Sequence, residues 1–293
     1  MINKLIWRIF IGLSLLFIPN LVTAQIPSIA PAELVRRAVK NETADTRNDN
    51  YLFKADISKP QGSQTKLMVN TRDGMAGLIV RIDGKPLTAD QQTSERARIE
   101  RFINNPDELK KKQKQEAEDE DHTVRIVKAL PDAFLYEYDG TMVGNSELGK
   151  AGDQLVRLKF KPNPDYEPPS RVEQVLTGLA GHLLIDANEL HIAEIDGTLI
   201  DEVNFGWGIF GHLDKDGRFV VRQADVDHGH WELTYMKLSF TGKILLFKSL
   251  SIKSEETETG FQHVSPDLSF AQGVKLLEQN ATKFTDSAVQ ARK

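Results

Sequence analysis

Apolar positions recur at two different spacings along the chain, and the change between them divides it. A spacing of three and four residues marks helices. "PAELVRRAVKNE" at 31–42 places Leu34, Val35, Ala38 and Val39 on one face, with Pro31 suited to a first turn. "TADQQTSERARIERFI" opens on Thr88-x-x-Gln91, a capping box. Asn105, Pro106 and Glu108 form a second helix start, and the segment behind them runs to about residue 130. Ser170-x-x-Glu173 is a further capping box, leading into Val172, Val175, Leu176 and Leu179 at i, i+3, i+4, i+7 spacing. A last helix is expected over about 268–281.

A spacing of two marks strands. "YLFKADIS" at 51–58 alternates, and "QTKLMVNTRDGMAGLIVRIDGKPL" holds two short strands with turns at Asp73-Gly74 and Asp83-Gly84. "AFLYEYDG" and "QLVRLKFKP" read as a hairpin. From Gly181 onward the chain is a strand series, with turn pairs at Ala187-Asn188, Asp196-Gly197, Asp216-Gly217 and Thr241-Gly242. Trp231, Leu233 and Tyr235 are followed closely by Met236, Leu238 and Phe240. Such a strand either bulges or is covered on both faces. No linker divides the chain. The expectation is one α+β domain over 25–293: a strongly curved antiparallel sheet, an incomplete β-barrel, with helices across its open side and a helical insert at about 89–130.

The first residues break this pattern. Lys4 and Arg8 precede an apolar run, and Val22-Thr23-Ala24 ends on a small residue, which reads as a secretory signal peptide over 1–24. Loss of Lys4 and Arg8 would take the net charge from −5 to −7. No later segment is apolar enough to span a bilayer. The pI near 5.9 leaves no cationic excess for phosphates, which argues against nucleic acid as a partner. With no cysteine the exported chain has only its core to hold it, which suits a periplasmic protein.

Candidate chemistry is sparse. Gly206, Gly208 and Gly211 spell G-x-G-x-x-G, the dinucleotide fingerprint. That motif works by turning from a strand into a helix whose N-terminus holds pyrophosphate. Here a β-turn and another strand follow, so the letters lack their setting. The bare face of Gly206 and Gly208 then means either a bend or a strip of room beside aromatic walls. His228 and His230 have usable metal-ligand spacing, although a zinc site needs a third or fourth ligand, and a turn with exposed histidines reads more simply. No nucleophile elbow, metalloprotease helix or phosphate loop is present, and no cofactor is implied. Basic then acidic residues over 110–121 read as a solvated helix face, with a docking surface for a charged partner as the other option.

The elements from about 171 to 264 are a capped "RVEQVLTGLAGHLLIDANELHIAEIDGTLIDEV", a Gly-rich strand, "DKDGRFVVRQADV" and "HWELTYMKLSFTGKILLF". Together they resemble outer-membrane lipoprotein sorting proteins. More distantly they resemble the periplasmic lipoprotein carrier and sensor superfamily (LolA-, LolB- and RseB-like). The resemblance implies a half-barrel whose hydrophobic cavity accepts acyl chains. It also implies a periplasmic protein that binds or transfers lipids, or lipoprotein acyl chains, without covalent chemistry. Phe205, Gly206, Trp207, Gly208, Ile209, Phe219, Trp231, Tyr235, Leu246 and Phe247 are the candidate cavity lining. The alternatives are an envelope scaffold or sensor acting through protein contacts, and a metal-dependent hydrolase using His228 and His230.

Overall fold

The computed structural model describes residues 28–44, 50–206, 210–244 and 248–290, the last nine of these by backbone alone. The signal-peptide segment lies outside the described residues. Helix α1 (Pro31–Ala44) precedes strands β1 (Asn50–Lys59), β2 (Gly62–Thr71), β3 (Gly74–Ile82) and β4 (Lys85–Pro86). Helices α2 (Ala89–Asn104) and α3 (Pro106–Ala133) follow, then β5 (Phe134–Val143) and β6 (Gln154–Pro162). A short α4 (Arg171–Gln174) continues as a 3₁₀ turn, Val175–Gly178. Next come β7 (Leu179–Asp186), β8 (His191–Leu199), β9 (Val203–Phe205), β10 (Gly211–Leu213) and β11 (Arg218–Asp227). Strands β12 (His230–Ile244) and β13 (Lys248–Val264) lead to α5 (Phe270–Gln290).

Local chemistry explains the helix starts. Both halves of the capping box at Thr88 and Gln91 are formed. Asn105 accepts from the backbone of Asp107 and Glu108, with Pro106 at the first position of α3. Leu34, Val35, Ala38 and Val39 are the buried residues of α1, as their spacing requires. Ser170 caps its helix by accepting from Val172 N–H, without the reciprocal bond of a full box, and the helix stops after one turn. Leu179 pairs with Leu199 instead of continuing a helical stripe, so strand pairing overrides the local period.

All thirteen strands join one antiparallel sheet in the order β4-β3-β2-β1-β13-β12-β11-β8-β7-β6-β5, with β9 and β10 attached at β12. The sheet is open, with β4 and β5 at its edges. The doubly apolar strand bulges: Tyr235 faces Arg222 and Leu233 faces Gln223, leaving Thr234 as the extra residue. Two expected turns are strand interior. Asp196-Gly197 lies within β8 and Thr241-Gly242 within β12. Gly197 pairs with Gly181 and with Phe219, and a Cβ on it would come within 2.6 Å of the Phe219 ring. Glycine there makes room for an aromatic ring and does not turn the chain.

Helices were expected across one side of the sheet, and the register places them on both. One row of paired residues runs Leu158, Leu183, Ile195, Val221, Met236, Glu256, Ile57, Gln64. Paired residues share a face and neighbours along a strand alternate. Leu158 and Leu183 pack with α1 and the end of α3 in one core. Leu67 and Val69, odd-numbered from Gln64, point the other way and pack with Phe270, Val274 and Leu277 of α5 and Ile99 of α2. Each end of the sheet therefore has its own core, on opposite faces. This accounts for strands apolar on both parities.

Candidate functional site

A hollow lies at the β3 end. A groove of about 900 Å³ runs between α2, α5 and β3–β4. Its apolar wall includes Leu78, Val80, Ile99, Ile103, Ala271 and Val274, and Arg96, Glu100, Lys275 and Glu278 stand on it as charged groups. It exists because β3 is nearly an edge. Strand β4 pairs only Arg81 and Ile82, so the rest of β3 needs other partners for its outward backbone groups.

Side chains supply them. Glu95 accepts from Ile79 N–H at 2.8 Å, Arg98 donates to Gly77 carbonyl at 2.7 Å, and Glu116 accepts from Met75 N–H at 3.2 Å. Arg98 and Glu95 also form a two-point ion pair at 2.7 and 2.8 Å. Glu95 is only 6% exposed. Burial opposes its charge, but the Arg98 guanidinium and the Ile79 amide outweigh that and hold its pKa below the ordinary carboxylate value. The helices thus stand in for a missing strand with charged side chains.

The sequence-derived lining lies elsewhere. Phe205 and Phe219 are each partly buried against the α1 core. Trp231 joins Leu148, Leu155, Leu184 and Ala193 in a separate cluster and stacks on His191 at 4.8 Å. Tyr235 donates to Glu255 at 3.0 Å on the face opposite Phe219, with Arg222 over its ring. None of these four lines the groove. Trp207, Gly208, Ile209, Leu246 and Phe247 lie outside the described residues.

Gly206 has φ +56 and begins the hairpin turn between β9 and β10, and the ring of Phe210 fills the space a Cβ would take. Arg171 covers that ring at 3.9 Å. At Gly206, then, the bare backbone seats a phenyl ring. The fingerprint glycines are followed by strands and no helix, as their context in the sequence required.

His228 stands in the β11–β12 turn with φ +46, and the ring of His230 lies 6.1 Å from that of Tyr51. Neither belongs to a three-ligand cluster among the described residues. The groove residues went unnoticed in the sequence because they come from segments about 190 residues apart. The available signal was "IERFI", apolar Ile99, Phe102 and Ile103 in an otherwise charged helix.

No protein-family model matches the chain, and no curated protein matches it. Two solved structures do. One is a Vibrio parahaemolyticus domain assigned to outer membrane lipoprotein sorting: TM-score 0.34, 10% identity, 84% of this chain and 99% of that one. The other is a DUF1329 family protein from Desulfovibrio piger: TM-score 0.30, 14% identity, 85% of this chain and 100% of that one. No helix among the described residues is long and apolar enough to cross a membrane.

Proposed function

We propose that the protein is a non-catalytic carrier that holds an acyl chain or a similar elongated apolar ligand in the groove between α2, α5 and β3. The observation that carries this reading is the groove itself: about 900 Å³, floored by aliphatic side chains and flanked by Arg96, Lys275, Glu100 and Glu278. Its size suits a lipid-scale ligand, and its few charged groups suit a polar head. Burying an acyl chain contributes about 25 cal/mol per Å² before ordering costs, so affinity needs no covalent step. A periplasmic location, reached by a signal peptide over 1–24, belongs to the same proposal, as does a single domain over 25–293.

Curvature of the sheet toward α3 belongs to it as well. From Glu116, bound to Met75 of β3, to Ala133 at the start of β5, α3 covers about 26 Å at 1.5 Å per residue. Nine strand spacings from β3 to β5 measure about 43 Å. A chord shorter than its arc supports a bend in the open sheet.

The test is saturable binding of a fluorescent fatty acid, with native mass spectrometry of the gently purified protein. Ala271 is exposed on the groove wall, so Ala271→Trp should fill the site and weaken binding at least about tenfold with little change in Tm. Absence of saturable binding in the unaltered protein would overturn the reading.

A second reading has one observation behind it. Residues 117–123 are exposed on every side of α3, two turns without cover, four of them acidic. A scaffold or sensor would dock a basic partner there. Replacing Glu118, Asp119, Glu120 and Asp121 with Gln or Asn should then abolish partner capture and leave fatty-acid binding unchanged.

A further inference from the structure

We propose that the β9–β10 hairpin carries a divalent transition-metal site, suited to Zn²⁺, formed by Glu202, His212 and Asp214. Their ligand atoms lie within 4.8 Å of one another. His212 Nε2 is 3.2 Å from Asp214 Oδ1 and 3.9 Å from Glu202 Oε2. Zinc bonds of about 2.0–2.1 Å place tetrahedral ligands about 3.4 Å apart, so the His–Asp edge already fits, the His–Glu edge is about half an ångström too long, and Glu202 closes in on binding.

The ladder is built to present these groups. Val203 pairs with Leu213 and Phe205 with Gly211, and Val203, Phe205 and Leu213 pack inward against the α1 core. The alternate residues Glu202, Asn204, His212 and Asp214 therefore share the outer face. The backbone beneath them is held on both sides: β10 pairs with β12 as well as β9, and Asp214 N–H donates to Thr241 carbonyl at 2.9 Å. Asn204 donates to Glu202 Oε1 at 2.9 Å, steadying one ligand from outside the metal sphere, as zinc sites commonly require.

Charge also favours a cation. One step beyond the Leu213–Val203 pair, Asp214 and Glu202 come opposite each other, and like charges facing across a ladder repel. An imidazole with two carboxylates makes a borderline-soft donor set that matches zinc better than magnesium or calcium. Three protein ligands leave the remaining coordination to water or to a bound anion. Lys243, paired with His212 on β12, is the competing cation.

Isothermal titration of the purified protein with ZnCl₂ tests the site. One zinc per chain is expected. His212→Ala should weaken binding at least about tenfold and His228→Ala should leave it within about twofold. Lys243→Gln should tighten it. No saturable binding below 1 mM, as an order-of-magnitude ceiling, would overturn the site, and so would zinc affinity indifferent to His212→Ala or lost with His228→Ala.

Discussion

The two ends of the sheet solve the same problem in opposite ways. At the β5–β8 end, α1 and the last turns of α3 lie flat on the strands, and Leu158, Leu183, Ile185 and Leu199 are all but inaccessible. At the β1–β4 end, α5 covers Leu67 and Val69, but α2 is held at the strand edge by Glu95 and Arg98 and leaves a groove. The difference lies in what satisfies the outer strand. Strand β6 has a full partner in β5, whereas β3 has two residues of β4 and three charged side chains. Glu95 and Arg98 of α2 reach the edge backbone, and of the apolar residues of that helix Ile99 is the one fully buried against Leu67 and Val69. Room for a ligand follows from how an edge is capped.

The sharpest break in that comparison is in the filled end. Leu183 is 1% exposed, and Leu183→Ala should cost about 3 kcal/mol by lost transfer energy and cavity formation. Denaturant unfolding measures it, and fatty-acid binding should be unchanged. If binding falls in step with stability, the two ends are not independent.

The ion pair that fastens α3 to α4 comes next. Arg125 holds both oxygens of buried Glu173 at 2.8 and 3.0 Å, and Ser170 donates to it as well. The guanidinium outweighs the cost of burial and holds the Glu173 pKa down to about 2. A lowered carboxyl pKa stabilises the fold above about 4.5 and loses that stabilisation as pH falls toward 2. Arg125→Ala strands the Glu173 carboxylate and should lower stability at neutral pH. Urea unfolding at pH 7 and at pH 3 should show the deficit shrinking in acid.

Much of the local structure was legible. The face of α1, the caps at Thr88, Asn105 and Ser170, and the bulge implied by Trp231 to Phe240 all follow from spacing and polarity within a few residues. What escaped depends on pairing at long range. Gly197 and Gly242 look like turn residues, yet they are strand positions where a ring or a neighbouring backbone comes close. Whether a strand's two apolar faces meet one cavity or two separate cores is fixed only by register across many strands. The proposed lining was therefore drawn from one stretch of chain, while the groove joins residues 78–103 to 271–281. Nothing in the sequence marked His212, because Glu202 joins it and Asp214 only when β9 folds onto β10.

The middle of the sheet belongs to neither end, and acidity should reveal it. Glu256 and Glu258 sit two apart on β13, on one face. Burial first, then the charges of Glu256 and Glu232, push the Glu258 carboxyl up to about 8. The unfolded chain releases this proton near 4.5 and the folded one near 8, so this group costs stability progressively as pH rises between those values. Glu258→Gln should raise Tm at pH 8.5 by about 2–4 °C, the shift that goes with roughly 1 kcal/mol in a chain of this length. At pH 4 the variant and the parent should melt together. Equal gains at both pH values would mean that packing, and not the proton, sets the difference.

The smallest effect probes how α2 is held above the groove. Thr88 accepts from Gln91 N–H while the Gln91 side chain accepts from Thr88 N–H, which closes both orphan donors at the start of α2. Thr88→Ala removes one and should cost about 0.5–1 kcal/mol. The helix lies between the strand edge and the ligand groove, so fraying its first turn should loosen Gln92 and, through it, the mouth of the site beside Leu87. Fatty-acid affinity should fall by less than about threefold, and hydrogen exchange should rise at 89–92 while α1 stays protected. Equal loss of protection in α1 would mean that the two cores unfold as one unit, and the contrast between filled and open ends would then be one of shape only.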